Sequence, residues 1–353
     1  MGRRPTRTQT ARFRQLIARL EPTLQRAFLS AIADVHGNLD WQGLNQAIAA
    51  GNIDAAVSAI RIDQGAFLAL WQAADAAYIA GATETVATLG ISGVPASAGI
   101  RFDMTNPRAE AYLATSSSNM VTQITEDSKQ AVREAIQRGY AAGRGPRDIA
   151  TDVAGQVVGG RRTGGIVGLD TGRAYRLDMV QQGMKTADGV QDLVIRHQDG
   201  TLGLRYKVNK ATEKRILAAY RAGTAVSAQG QRMSVDQFRN ALLKSRADTI
   251  AQLETSQAVM AGRREEWGQV LEKLGRSEAD VEKRWQHGSG GTDPRPHHVA
   301  MNNKTVRGLD APFVFNNGSL LRYAHDENAP ISETARCTCD TTFRLLPDLA
   351  ALR

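Results

Sequence analysis

Residues 234–275, "SVDQFRNALLKSRADTIAQLETSQAVMAGRREEWGQVLEKLG", decide the fold class. Apolar residues recur at steps of three and four, as in Phe238, Leu242 and Trp267, Val270, Leu271, Leu274, with no proline. That period places one face of an α-helix against a core and predicts the longest helix of the chain.

Working outward, Phe13, Leu16, Ile17, Leu20, Leu24, Phe28 and Ile32 form a second helical stripe. Residues 39–60 and 65–89 continue as helices broken near Gly51 and Gly65, so residues 1–100 are expected to form an N-terminal helical bundle with a basic arm. A Gly-, Pro- and Ser-rich stretch, 91–110, leads into a helix from Pro107 to about Tyr140, and Pro146 opens another. Residues 191–208 alternate on both sides of Asp199-Gly200, which predicts a β-hairpin inside a helical body spanning 101–284. From Trp285 the texture changes to Gly, Pro, Asn and His with short strand-like pieces at 313–315 and 320–323. The fold class is therefore mainly α, with an elongated helical body carrying a hairpin and a small α+β C-terminal module, 285–353.

The 353 residues carry a net charge of +8, and nine of the 44 basic residues are lysines. Excess cationic charge attracts polyanions, so nucleic acid or an acidic protein surface is an expected neighbour. Two cysteines cannot build a disulfide framework. Residues 1–20 lack the apolar core of a signal peptide, and no 18-residue apolar run occurs, which predicts a soluble protein made in a cytoplasm, with no membrane contact.

Four constellations are candidates for chemistry. The cluster "GQVVGGRRTGGIVGL", 155–169, lacks the Lys-Ser/Thr ending of a phosphate loop, so its expected form is an exposed basic loop carrying Arg161 and Arg162. Arg246, Ile250 and Glu254 lie on roughly one side of the long helix, with three readings: a general base held by a cation, a helix ion pair, or a cap to a neighbouring loop. Arg3, Arg4 and Arg7 open an arm with no acid before Glu21, suited to phosphate contact without base reading. Last, Cys337 and Cys339 share a C-x-C with four of the six histidines, His287, His297, His298 and His325, within about fifty residues. Zinc takes four N or S ligands in a tetrahedron, whereas structural sites prefer two to four residues between cysteines; a metal clip, a redox pair and a bare structural corner all stay open. A G-x-S-x-G nucleophile motif is absent from the sequence, so no catalytic residue is assigned.

The ordered segments 106–150, "GRRTGGIVGL" (160–169), "RADTIAQLETSQAVMAGRREEW" (246–267), "KRWQHGSGGTDPRPHHVAMNNKTV" (283–306) and "ETARCTCD" (333–340) resemble the phage head-morphogenesis family, the minor head proteins of the Mu F type. The resemblance covers about residues 106–346. Its helix signature falls on Arg246, Ile250, Ala251, Glu254 and Thr255, its R-x-x-H on Arg295 and His298 after Trp285, and its closing motif on Cys337 and Cys339. The family's C-R-C stands here as Cys337-Thr338-Cys339, and Asn302 or Asn303 replaces a glycine.

The resemblance implies a non-enzymatic minor capsid protein of a bacteriophage virion. It would be portal-associated inside the head, act in head morphogenesis beside DNA packaging and ejection, and be made in the host cytoplasm. The partners implied are the portal protein, the major capsid or scaffold protein, and double-stranded DNA bound without sequence preference. The candidate metal ligands are Cys337, Cys339 and His298, with a structural zinc as the candidate cofactor. A pilot protein delivered with the genome is the alternative, and a metal-dependent enzyme in the C-terminal module a distant one.

Overall fold

The computed structural model describes residues 5–95, 98–288 and 294–347. Arg3 and Arg4 lie outside them, as do the side chains of Arg7 and Arg161. The elements in chain order are α1 (Pro5–Asn38), α2 (Trp41–Ala49), α3 (Ile53–Ala59), α4 (Leu68–Val86), α5 (Pro107–Ala141), α6 (Pro146–Ala154), β1 (Gln156–Val158), β2 (Arg161–Thr163), α7 (Thr171–Gly183) and α8 (Ala187–Leu193). They continue with β3 (Val194–Arg196), β4 (Leu202–Leu204), α9 (Lys210–Ala222), α10 (Ala228–Leu274), β5 (Val281–Gln286), α11 (Pro296–Ala300), β6 (Thr305–Arg307), β7 (Phe313–Val314), β8 (Leu320–Leu321), α12 (Ile331–Thr334) and β9 (Asp340–Leu345). The mainly helical class expected from periodicity is what the chain forms. Among the described residues no helix is long and apolar enough to cross a membrane.

The division of the chain differs from three consecutive segments. One compact unit comprises Met1–Ala27, Ala69–Met120 and Asp248–Arg353; the other comprises Phe28–Leu68 and Val121–Ala247. The reason is that α1, α5 and α10 each supply part of their length to one unit and the remainder to the other, which a reading in chain order cannot foresee.

In the second unit the helix starts are set by short polar side chains. Asp40, Asn52, Asp170, Thr186 and Asn209 each accept the N–H three residues on, satisfying a donor that the first helical turn leaves free. The glycine cluster folds into the β1–β2 hairpin. Gly155 has φ 82°, and a Cβ there would meet the Thr163 carbonyl at 2.2 Å, so the chain needs glycine to turn at this close approach. The β3–β4 hairpin pairs around Asp199-Gly200 as the alternation predicts.

The first unit packs Phe13 and Leu16 of α1, Ala77 and Tyr78 of α4, and Val259, Trp267, Val270 and Leu271 of α10 against the three-stranded antiparallel sheet β6-β5-β9. Backbones approach closely where α4 meets α10: a Cβ on Gly262 would lie 2.0 Å from the Tyr78 carbonyl, and one on Gly81 2.2 Å from that of Val259. The edge of β9 is covered by α1. Gln9 accepts from Phe343 N (3.1 Å) and donates to Phe343 O (3.0 Å), as a neighbouring strand would.

The same core holds an isolated acid. Glu266 is fully buried, and among the described residues neither carboxylate oxygen has a hydrogen-bond partner. Burial, aided by the charge of Glu265 and opposed by Lys273, pushes it from 4.5 to about 8. A raised folded value means its contribution is most favourable below the unfolded value and is lost as pH rises towards about 8. The loss is at most about 1.4 kcal/mol per pH unit. In urea unfolding at pH 5, 6.5 and 8, Glu266→Gln is therefore expected to gain stability over the parent progressively with pH; a difference constant across that range would refute the isolated-acid assignment.

Candidate metal centre

The centre sits where β5 and β9 run out side by side. Their register ends at Gln286 opposite Asp340, so His287 and Cys339 are the first residues beyond that last pair. Two short pieces complete the site. Helix α11, with Pro296 in its first turn, presents His297 and His298. Helix α12 ends in a turn through Arg336, at φ 55°, that delivers Cys337.

The R-x-x-H spacing has a local explanation. Arg295 donates from Nε to the Ser332 carbonyl (2.6 Å) and from Nη2 to that of Ala335 (2.7 Å), clamping α11 to the chain entering the cysteine turn. One helical turn later, His298 is then carried to the two sulfurs. Its Nδ1 lies 3.6 Å from Cys337 Sγ and 3.7 Å from Cys339 Sγ. Asn303, near the family's glycine, has φ 66°, a left-handed conformation that asparagine tolerates better than most residues.

Glu333 fixes the histidine's tautomer. His298 Nε2 donates to Glu333 Oε2 (2.9 Å), as does His297 Nε2 (2.7 Å), while the other oxygen accepts from Asn317 (3.1 Å) and Ser319 (2.9 Å). Burial works against the charge of Glu333, yet these four hydrogen bonds outweigh it and hold the carboxyl at about 2. With Nε2 protonated towards a carboxylate, Nδ1 keeps a lone pair facing the thiols, the arrangement that supports a metal-bound histidine.

The ligand chemistry fits a metal. Zinc bonds of about 2.3 Å to sulfur and about 2.0 Å to nitrogen imply a tetrahedral sulfur–nitrogen edge of about 3.5 Å, close to both His298 distances. The single residue between the cysteines is accommodated because the Arg336 turn and the Cys339 N–H, 3.4 Å from Cys337 Sγ, bring both sulfurs to one side. His298, Cys337 and Cys339 are all buried and their ligand atoms lie within 4.8 Å of one another. Left to themselves the thiols favour one thiolate: hydrogen bonding from Cys339 outweighs burial and holds Cys337 down to about 3, while that thiolate pushes Cys339 up. Both cysteines are free, so a disulfide is not what joins them.

Trp285 is fully buried and meets His298 edge-on at 5.3 Å, with Phe313 and Phe315 on its other sides. Trp285, Arg295, His298, Cys337 and Cys339 are thus gathered in one place. Arg246 and Glu254 are not. Arg246 is buried in the second unit, where it donates to Ser128 Oγ (2.9 Å) and the Ile124 carbonyl (3.3 Å) of α5 and to the Gly168 carbonyl (2.9 Å) of a loop. Glu254 belongs to the first unit and is raised to about 7 by burial alone. Sequence reasoning missed Glu333 altogether, since an acid inside "PISET" has no spacing that marks it.

The basic candidates fare unevenly. Arg162 is half-buried, donates to the Gly155 carbonyl (3.0 Å) and lies over the Trp41 ring (4.7 Å), which corrects the expectation of an exposed cation on a loose loop. Beside it, a cavity of about 630 Å³ is lined by Gly155, Gly164 and Gly165 but also by Asp148, Asp152 and Asp236, against the two cations Lys185 and Arg232. Three carboxylates at a glycine loop disfavour phosphate. The arm is helical from Pro5; Arg12 pairs with Glu84 at 2.8 Å, and Arg14 and Arg19 are exposed.

Comparison of the chain with protein-family models, curated proteins and solved structures finds no match in any of the three.

Proposed function

We propose that this chain is a non-enzymatic minor structural protein of a tailed-phage head, its C-terminal module fastened by a structural zinc on Cys337, Cys339 and His298. The observation that supports this most is convergence. Of the residues that carry the resemblance to the head-morphogenesis family, Trp285, Arg295, His298, Cys337 and Cys339, up to 54 apart in sequence, meet around one buried ligand cluster with a carboxylate behind it. In this reading the protein lies in the capsid interior near the portal. Exposed arginines such as Arg14 and Arg19, with Arg3, Arg4 and Arg7, supply the charge for non-specific contact with packaged DNA. The zinc, when bound, supplies only fixed distances among its ligands; Arg295 holds the chain at both ends of the site and Glu333 holds the imidazole.

The test is mass spectrometry of purified, DNA-filled particles from cells carrying the gene. The chain is expected at low copy alongside the portal protein. Normal particles that lack it would overturn the assignment.

A further inference from the structure

We propose that His287 is the fourth ligand of the centre, closing it as a Cys2His2 site with no coordination position left for water. The inference rests on the metal reading given above and takes it one step further, because a fourth protein ligand separates a fastening site from a catalytic one.

Register is the first argument. Beyond the Gln286–Asp340 pair the two strands deliver His287 and Cys339 side by side, and His287 Nδ1 lies 3.8 Å from Cys339 Sγ, about 0.3 Å beyond the sulfur–nitrogen edge of a tetrahedral zinc. Backbone anchoring is the second. His287 N donates to Asn302 Oδ1 (3.0 Å), and Thr338 Oγ1 donates to the Gly288 carbonyl (3.3 Å). A Cβ on Gly288 would stand 1.9 Å from the Thr338 carbonyl, so the chain after His287 is pressed directly onto the residue between the cysteines. The ligand atoms that already lie within 4.8 Å of one another are those of His298, Cys337 and Cys339, so the proposal requires the His287 imidazole to turn towards them.

The third argument is position: His297 Nε2 is held on Glu333 and His325 Nε2 on the Cys339 carbonyl (3.1 Å), while the other His325 nitrogen and one Asp340 oxygen have no partner among the described residues, so His325 and Asp340 are the rivals that the His287 variants separate. As the second zinc–sulfur bond forms, the proton retained by the thiol pair leaves to solvent. The closed site would tie the end of β5, helix α11 and the cysteine turn to a single point.

The full chain, stripped by chelation, is titrated with Co²⁺ as a spectroscopic probe and then with Zn²⁺ in competition. The expected result for the parent is one Co²⁺ with the intense visible bands of a tetrahedral site and a thiolate charge-transfer band. In His287→Ala, water replaces an imidazole, the visible bands weaken and shift, and zinc affinity falls about 100-fold or more, since even outer partners of a ligand are worth 10- to 100-fold. His287→Cys should regain tight binding with an added thiolate band, a result independent of how well the alanine variant folds. A parent that takes up no metal would overturn the metal reading and this inference with it. Metal uptake with the same spectrum and affinity in His287→Ala, or no added thiolate band in His287→Cys, would overturn His287 alone.

Discussion

Removing the metal with a strong chelator is expected to lower the melting temperature of the full chain by about 8–16 °C. With zinc at a thousandfold excess over its dissociation constant, linkage contributes about 4 kcal/mol, and each kcal/mol moves a unit of this size by about 2–4 °C. Cys337→Ser and Cys339→Ser should each reproduce most of that fall and abolish the response to chelator. The size of the effect follows from the surroundings: Trp285, Phe313, Phe315 and Leu321 form only a small apolar cluster around the cysteines. Beyond the Arg295 clamp and the Glu333 hydrogen bonds, short pieces such as α11 and α12 have little to hold them. Calorimetry with and without chelator decides the matter, and an identical transition in both would sink the structural role of the metal.

Gly262→Ala is expected to be about as damaging, although it adds one methyl group. Its Cβ would enter the space of the Tyr78 carbonyl, which is backbone and cannot rotate aside. Helices α4 and α10 must part, loosening Tyr78, whose ring stacks on Tyr112 at 4.3 Å. Overpacking of this kind costs about 3 kcal/mol, and more when backbone rather than side chain must yield. Gly81→Ala opens the same gap from the other side, so the double variant should lose less than the sum of the two. Urea midpoints measure all three; a loss below about 0.5 kcal/mol in Gly262→Ala would show that the helices are free to separate.

Periodicity made the long helices and the Asp199-Gly200 hairpin legible, because local spacing and local turn chemistry suffice for them. The strand pieces at Phe313 and Leu320 were visible for the same reason. The sheet that carries the site was not: β5 pairs with β9 about sixty residues later, and nothing in "VEKRWQ" names its partner. The strand that carries Trp285 consequently begins at Val281. Residue types in order pointed to Cys337, Cys339 and His298, whereas Glu333 and His287 are placed by strand register and by two short helices, which are tertiary facts. The glycines at 81 and 262 carried a signal that went unread, being small residues facing each other across helices far apart in sequence.

The amide of Gln9 laid along β9 has a consequence for the order of events during synthesis. The strand it completes lies 334 residues further on, so the N-terminal helix leaves the ribosome long before its partner exists. At about 5–20 residues per second roughly 15–70 s pass between synthesis of Gln9 and of its partner. During that interval the Gln9 face of the helix is a natural client for chaperones and a target for proteases, and translation must pass residue 343 before Gln9 finds its strand.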